Sequence, residues 1–214
     1  MDNYIERKRI DAFDVCKGAC MLMVILGHQF EKYALIHPLQ IIQTFHMPLF
    51  FMISGFFISE ADSIPNYAQK RAKRLLVPYV LGCIVMIVLC SIKQWIDTHS
   101  AHAVFLEIWK RLWISFYGSG SGHGSFLGSY GYIEERGMFW YLIALFWASV
   151  VVRIIIAKDY KWAGALLVSA IGIGTSIVFG WIPFSIQSGL GAVFWVYLGY
   201  FIKPKLFTVS GEMY

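Results

Sequence analysis

Apolar residues fall along this chain in stretches of about twenty, the length an α-helix needs to cross the ~30 Å hydrocarbon core of a bilayer. Such stretches run from Asp14 to Phe30, Leu39 to Ser59, Leu75 to Trp95, Met138 to Ala157, Trp162 to Trp181 and Ile186 to Ile202. The connections between them alternate in character. Arg7, Lys8 and Arg9 precede the first stretch, and Lys70, Arg71, Lys73 and Arg74 join the second to the third. Lys158 and Lys161 join the fourth to the fifth, and Lys203 and Lys205 follow the sixth. Every second connection is basic, so the positive-inside rule puts these segments and the N-terminus in the cytoplasm. The long connection from Ile96 to Gly137 differs. Phe105, Trp109, Leu112, Trp113 and Phe116 recur at helical spacing, with Glu107, Lys110 and Arg111 on the other side. That pattern predicts an amphipathic helix lying in the outer interface as a lid or rim of the bundle. Gly118 to Gly131, rich in Gly and Ser, predicts a solvated loop, because no strand precedes it and no helix N-terminus closes it around His123.

Composition sharpens this into a class. Hydrophobic residues make up 58% of the 214, aromatic residues 17% and charged residues 14%, and the mean hydropathy is +0.60. An ordinary soluble domain carries fewer apolar residues and about 25% charged ones. The expected fold is therefore all-α, a polytopic transmembrane bundle of about six spans plus the interfacial helix. Asp14 and Lys17 interrupt the start of the first stretch, and no small-residue cleavage site occurs before Gln29 to Lys32, so it reads as a retained span and not a signal peptide. The formal charge is +5. Its basic residues cluster at the ends of apolar stretches, where orientation in the membrane accounts for them and nucleic-acid binding is not implied. Cys16, Cys20, Cys83 and Cys90 all fall inside predicted spans, where thiols pack as small apolar groups. Neither a disulfide framework nor a metal site is expected from them.

Candidate chemistry sits on the first two spans. Ten residues separate Lys17 from His28. Eleven steps at 100° are three turns plus about 20°, so both side chains leave one helix face, ~16 Å apart along the axis. Asp14 falls about 40° from His28 on the same projection. Ionisable groups at membrane depth are costly and normally face a bundle interior or a water-filled cavity. In the second span, Pro48 removes an amide hydrogen one turn from the bond to Thr44 and predicts a bend, while Ser54 and Gly55 allow a neighbour to approach closely. His46 beside that bend reads either as a structural histidine bonded to a freed carbonyl or, with His28, as part of a shared polar site. His37, His99, His102 and His123 fall in connections. Trp140, Tyr141, Trp195 and Tyr197 near span ends read as interface anchors, with sugar stacking the alternative.

These motifs together resemble a known family. Asp14-Val-Cys-Lys17-Gly18, the Leu26-Gly27-His28 ending of span one and His46-Met-Pro-Leu-Phe-Phe-Met-Ile-Ser-Gly55 are similar to membrane acyltransferase family 3. So are Arg71-Ala-Lys-Arg74 before Leu75-Leu-Val-Pro78, Phe139-Trp-Tyr-Leu142, Ile182-Pro-Phe-Ser and Leu198-Gly-Tyr200, in the family's order over nearly the whole chain. Members are integral-membrane O-acyltransferases, mostly bacterial, and the subgroup most resembled is fucose 4-O-acetylase-like. The resemblance implies acetyl transfer from acetyl-CoA to a sugar hydroxyl of a cell-surface or exported glycan, in a multi-pass protein of the bacterial plasma membrane. It implies His28 as the catalytic imidazole; His46, from its own position, is the second catalytic candidate, and no metal is expected. The resemblance implies Lys17 as a cytoplasmic-side contact to the donor, and Arg71 and Arg74 as ligands for the donor's phosphates. Lysine at position 17 keeps the charge of the commoner arginine and loses its bidentate geometry.

The residues fit such a donor by their own chemistry. Acyl-CoA is made in the cytoplasm and carries several negative phosphates, which Arg71, Arg74 and Lys17 can meet on that side. A pantetheine arm threaded along span one brings its thioester towards His28, whose neutral imidazole can take a proton from an attacking hydroxyl or itself be acylated in passing. The signature His-x4-Asp of glycerolipid acyltransferases is missing, as are a Walker loop and a dinucleotide fingerprint. Family members usually have roughly ten spans of ~20 residues. Residues 1–203 therefore read as one domain incomplete relative to the family, with 204–214 a polar tail: either a C-terminally truncated or fragmentary copy, or a chain that needs a partner to complete the bundle. The contrasting reading is a transporter, an export component or an inactive binding subunit, which also places His and Lys inside kinked helices.

Overall fold

A computed structural model gives the fold and describes residues 15, 18, 22, 37–120, 123–124, 132–133, 139–179 and 181–209. Seven α-helices carry the described chain: α1 (His37–Gly55), α2 (Ile64–Thr98), α3 (Ala101–Tyr117), α4 (Trp140–Ala157), α5 (Lys161–Phe179), α6 (Ile186–Gly191) and α7 (Val193–Val209). A 3-10 turn, Pro183–Ser185, precedes α6. Between α3 and α4 the chain makes one small antiparallel ladder, His123–Gly124 (β1) with Tyr132–Ile133 (β2). The Gly/Ser-rich connection expected as plain loop thus carries a minimal hairpin. The fold is an all-α membrane bundle.

Local chemistry sets most helix ends. α2 begins behind Ser63 in extended conformation with a proline in its first turn, where the missing amide hydrogen costs nothing. It ends at His99 in the left-handed region. Ser100 then caps α3 by accepting from the amide of Ala103, and Gly118, at φ 60, closes it as a left-handed C-cap. The connection between α2 and α3 is so short that the helices turn back on each other. The Tyr79 hydroxyl donates to the Ser115 carbonyl, which aligns α3 antiparallel along the second half of α2.

Among the described residues α2, α4 and α5 are long and apolar enough to cross a bilayer, and the unit of Pro183–Gly191 with Val193–Lys203, bent by 49°, counts as a fourth if taken as one span. Most of the first expected span lies outside the described residues. The second appears as α1, which runs unbroken through Pro48 and stops at Gly55, four residues short of Ser59. The sixth is not one rod. Phe184 and Ser185 both take positive φ, 59° and 47°, before α6 starts. The Trp147 indole holds the Phe184 carbonyl at 3.1 Å, and the Ser185 hydroxyl donates to the Gly118 carbonyl. α7 continues through Pro204 to Val209, into the segment whose composition turns polar.

The principal core joins Phe51 and Ile58 to Ala144, Leu145, Ala148 and Val152 of α4 and to Val193, Val196 and Tyr197. α1 and α7 cross there almost touching, with Tyr200 near the C-terminal end of α1 at Glu60. A Cβ on Gly199 would collide with the Met52 carbonyl, and one on Gly55 with the Val196 carbonyl. Only glycines permit that approach, which in lipid supplies the packing and dispersion that hold helices together. Cys83 is buried with Tyr79 and Ile143 in a second cluster, as a packed thiol should be.

The helix α3 is where the periodicity puts it, and the structure adds which way its faces turn. Phe105, Trp109, Leu112, Trp113 and Phe116 are exposed, Trp109 to 59%. Two of the polar residues are covered: Glu107 and Arg111 form an ion pair at 2.6 Å with side chains only 15% and 22% exposed, while Lys110 is exposed. In lipid the apolar face belongs outside, and a charge pair is cheapest where protein covers it. Two predicted anchors are also core residues. Tyr141 packs on Phe51 with ring centroids 4.9 Å apart, and buried Tyr197 meets Trp162 at 4.9 Å. Trp195 remains exposed.

Candidate active site

The segment 56–63 between α1 and α2 organises a cluster of cations. It leaves α1 through tight turns, with the amides of Phe56, Phe57 and Ile58 bonded back to the carbonyls of Ile53, Ser54 and Gly55 at 3.1–3.2 Å. Those turns aim the Phe57 carbonyl at α2. Arg71 donates to it from Nη2 at 3.4 Å and to the Tyr67 hydroxyl from Nε at 2.9 Å. Tyr67, one turn earlier on α2, is buried, and the guanidinium carbon lies 5.4 Å from its ring centroid. Stacking and hydrogen bonding together restrain a side chain that is otherwise rich in rotamers. Arg74, three residues on, shares the face of Arg71 and is exposed, as is Lys73. Lys70 reaches back to Asp62 at 2.6 Å.

One turn inside this cluster, the Ser54 hydroxyl donates to the Phe50 carbonyl at 2.9 Å and lies 3.3 Å from the Tyr141 hydroxyl. Ser54 was singled out for its small size; the structure adds a hydrogen-bonded link from α1 to α4. His46 is half-buried on α1, eight residues before Ser54 and so roughly 12 Å away along the helix axis. The described helices thus bring Ser54 and Arg71 to one end of α1, with Arg74 beside Arg71 and His46 two turns deeper. Asp14, Lys17 and His28 lie outside the described residues. Among the described residues no three His, Cys, Asp or Glu side chains form a group able to hold a metal ion.

Two further residues belong to this region. Tyr141 sits inside the quoted Phe139-Trp-Tyr-Leu142 run, yet aromatic character near a span end points to an anchor as readily as to a core. Arg153 is the clearer signal: a lone cation between Val152 and Ile154 of an apolar span. It is buried, and its Nη2 donates to the carbonyls of Glu60 and Asp62 at 3.0 and 2.9 Å. The carboxylate of Glu60 itself accepts from the Tyr200 hydroxyl at 2.6 Å. Cations from α2 and α4 therefore converge on one eight-residue segment.

The described helices thus combine apolar segments of membrane-spanning length with a cationic pole and, one turn inward, the hydroxyls of Ser54 and Tyr141. The chain's family is established by sequence comparison. The chain belongs to the Acyl_transf_3 acyltransferase domain family, which matches residues 10–212, an interval that includes Lys17 and His28. The family is named for an acyltransferase domain, and several of the described helices are long and apolar enough to cross a membrane. The chain is also similar to the nodulation protein NolL of Mesorhizobium japonicum (strain LMG 29417 / CECT 9101 / MAFF 303099), with 34% identity over 83 residues, 34% of this chain and 22% of that protein. The similarity thus spans about a fifth of the length of that curated relative. No solved structure matches the chain.

Proposed function

We propose that this enzyme transfers an acetyl group from acetyl-CoA to a sugar hydroxyl of a cell-surface or exported glycan. The observation that carries the reading is the restrained Arg71, held on Tyr67 and the Phe57 carbonyl with Arg74 on the same helix face. A positioned guanidinium beside a second one suits a phosphate, with which arginine forms short, bidentate, charge-assisted bonds. With the N-terminus cytoplasmic, as the basic connections indicate, this pole faces the compartment where acyl-CoA is made. Lys17 is the remaining donor contact and Asp14 its neighbour on the same stripe.

The reaction itself is simple to balance. The acceptor hydroxyl attacks the thioester carbonyl, a C–O bond forms and the C–S bond breaks. His28 takes the hydroxyl proton and returns one to the departing CoA thiolate. His46, on the neighbouring span, is the second imidazole of that interior. The acceptor enters from the opposite end of α4, where Tyr117 and Trp181 form a buried aromatic cluster. Near it Gln187, 1% exposed, keeps both amide atoms without a protein partner, a donor and acceptor pair matched to neighbouring hydroxyls.

The test is CoA-dependent transfer by the purified chain in lipid nanodiscs, combined with mass spectrometry of surface glycans from cells with and without the gene. His28→Ala should abolish acetylation while expression is unchanged. Transfer that persists in that variant removes the assignment, and a chain that ignores acetyl-CoA removes the donor.

A further inference from the structure

We infer that Arg153 is a third phosphate ligand of the donor site, acting with Arg71 and Arg74 on the nucleotide end of acyl-CoA. The inference rests on the acyl-CoA reading above and extends it to a residue on a different helix. Arg153 is 8% exposed, and its Nε finds no hydrogen-bond partner. Its two bonds go to neutral carbonyls, those of Glu60 and Asp62. Both nearby carboxylates are engaged elsewhere: Glu60 accepts from Tyr200, and Asp62 pairs with Lys70. Among the described residues no carboxylate forms an ion pair with Arg153.

A buried guanidinium whose hydrogen bonds go only to neutral carbonyls is an expensive arrangement, eased but not met by the Glu60 carboxylate, which is bonded to Tyr200 and not to Arg153. A chain that needed only to tie down the segment 56–63 could do so with neutral donors. An arginine with a spare N–H and no carboxylate bonded to it is instead half of an ion pair. The other half is an anion that comes and goes. Arg153 and Arg71 grip the same segment, at Glu60 and Asp62 in one case and Phe57 in the other. Their guanidiniums are therefore neighbours across a few residues of backbone, with Lys70 and Arg74 on the adjoining turns of α2. CoA carries a diphosphate and a ribose 3′-phosphate, so it has enough separate anionic groups to engage more than one of these cations. The one other abundant source of phosphate here is a phospholipid headgroup.

Binding of acetyl-CoA and of acetyl-pantetheine, which lacks every phosphate, separates these cases. It is measured on the full chain in nanodiscs of neutral lipid, for wild type, Arg153→Gln and Arg153→Lys. The expected result is a loss of about 10- to 100-fold in acetyl-CoA affinity for Arg153→Gln, the size of a charge-assisted hydrogen bond, with acetyl-pantetheine within about twofold. Arg153→Lys, which keeps the charge and a donor for the carbonyls, should fold like wild type and recover part of the loss. An equal loss for both ligands in these variants overturns the proposal in favour of a purely structural clamp, and no loss for either overturns it outright. Competition by anionic lipid that disappears in Arg153→Gln overturns it in favour of a headgroup. A wild-type chain that does not bind acetyl-CoA at all removes the donor reading, and this proposal with it, and is recognised before any variant is made.

Discussion

Gly199→Ala is the sharpest probe of how α1 and α7 meet. The added methyl would overlap the Met52 carbonyl oxygen and lie 2.8 Å from its carbon and 3.2 Å from its Cα, all backbone atoms that cannot rotate aside. An ordinary carbon–oxygen contact is about 3.3 Å or more, so the helices must part by on the order of 1 Å. Overpacking of this kind costs about 1–3 kcal/mol, against which alanine returns up to about 1 kcal/mol of helix propensity. The net loss of about 1–2 kcal/mol corresponds to a melting temperature lower by about 2–8 °C for a chain of this size. Gly174 provides the internal control, because a Cβ there meets nothing within 4 Å. Gly174→Ala should be neutral or stabilising by up to about 1 kcal/mol. Thermal unfolding of both variants in the same nanodiscs decides the matter. The reasoning is refuted if Gly199→Ala melts no lower than Gly174→Ala. Acetyl transfer by Gly199→Ala should also fall, since α1 carries Ser54 and shifting it disturbs the 3.3 Å contact to Tyr141.

Three further substitutions test other parts of the structure. Tyr141→Phe removes one interhelical hydrogen bond while leaving Ser54 its bond to Phe50; such bonds in membranes average about 0.6 kcal/mol, so a destabilisation above about 2 kcal/mol in unfolding would show that the hydroxyl has other partners. Arg71→Ala should raise the KM for acetyl-CoA at least about tenfold in steady-state kinetics, with Arg71→Lys recovering only part because the fork geometry is lost, and an unchanged KM would dismiss Arg71 as a donor ligand. Glu107→Gln takes the carboxylate from a covered ion pair and should cost about 1–3 kcal/mol, reduced when Arg111→Met is combined with it; a double-mutant cycle showing no coupling would mean that the pair is solvated and that α3 faces the other way.

Helices that owe their existence to length and apolar periodicity were legible in the sequence. The fourth and fifth stretches appear as α4 and α5 with ends within about two residues of those expected, a normal margin for helix boundaries. α3 was legible as a helix from five aromatic and aliphatic positions, and the pairing of Arg71 with Arg74 from the family resemblance. The membrane class followed from composition. What a one-dimensional pattern carries is that a helix has two unlike faces, since side-chain direction depends only on the 100° step.

Which face turns inward was decided by the tertiary structure. The covered Glu107–Arg111 pair and the exposed Trp109 reverse the arrangement that water would impose, because the surrounding medium is itself apolar and the costly groups are the charged ones. The same step settled the roles of Tyr141, Tyr197 and Arg153, each of which depends on a partner between 35 and 93 residues away on another element. The break at Phe184 and Ser185 and the glycine crossing of α1 with α7 belong to this second kind too. Periodicity is a property of one helix, whereas close approach, charge compensation and burial are properties of pairs, and pairs exist only once the chain has folded.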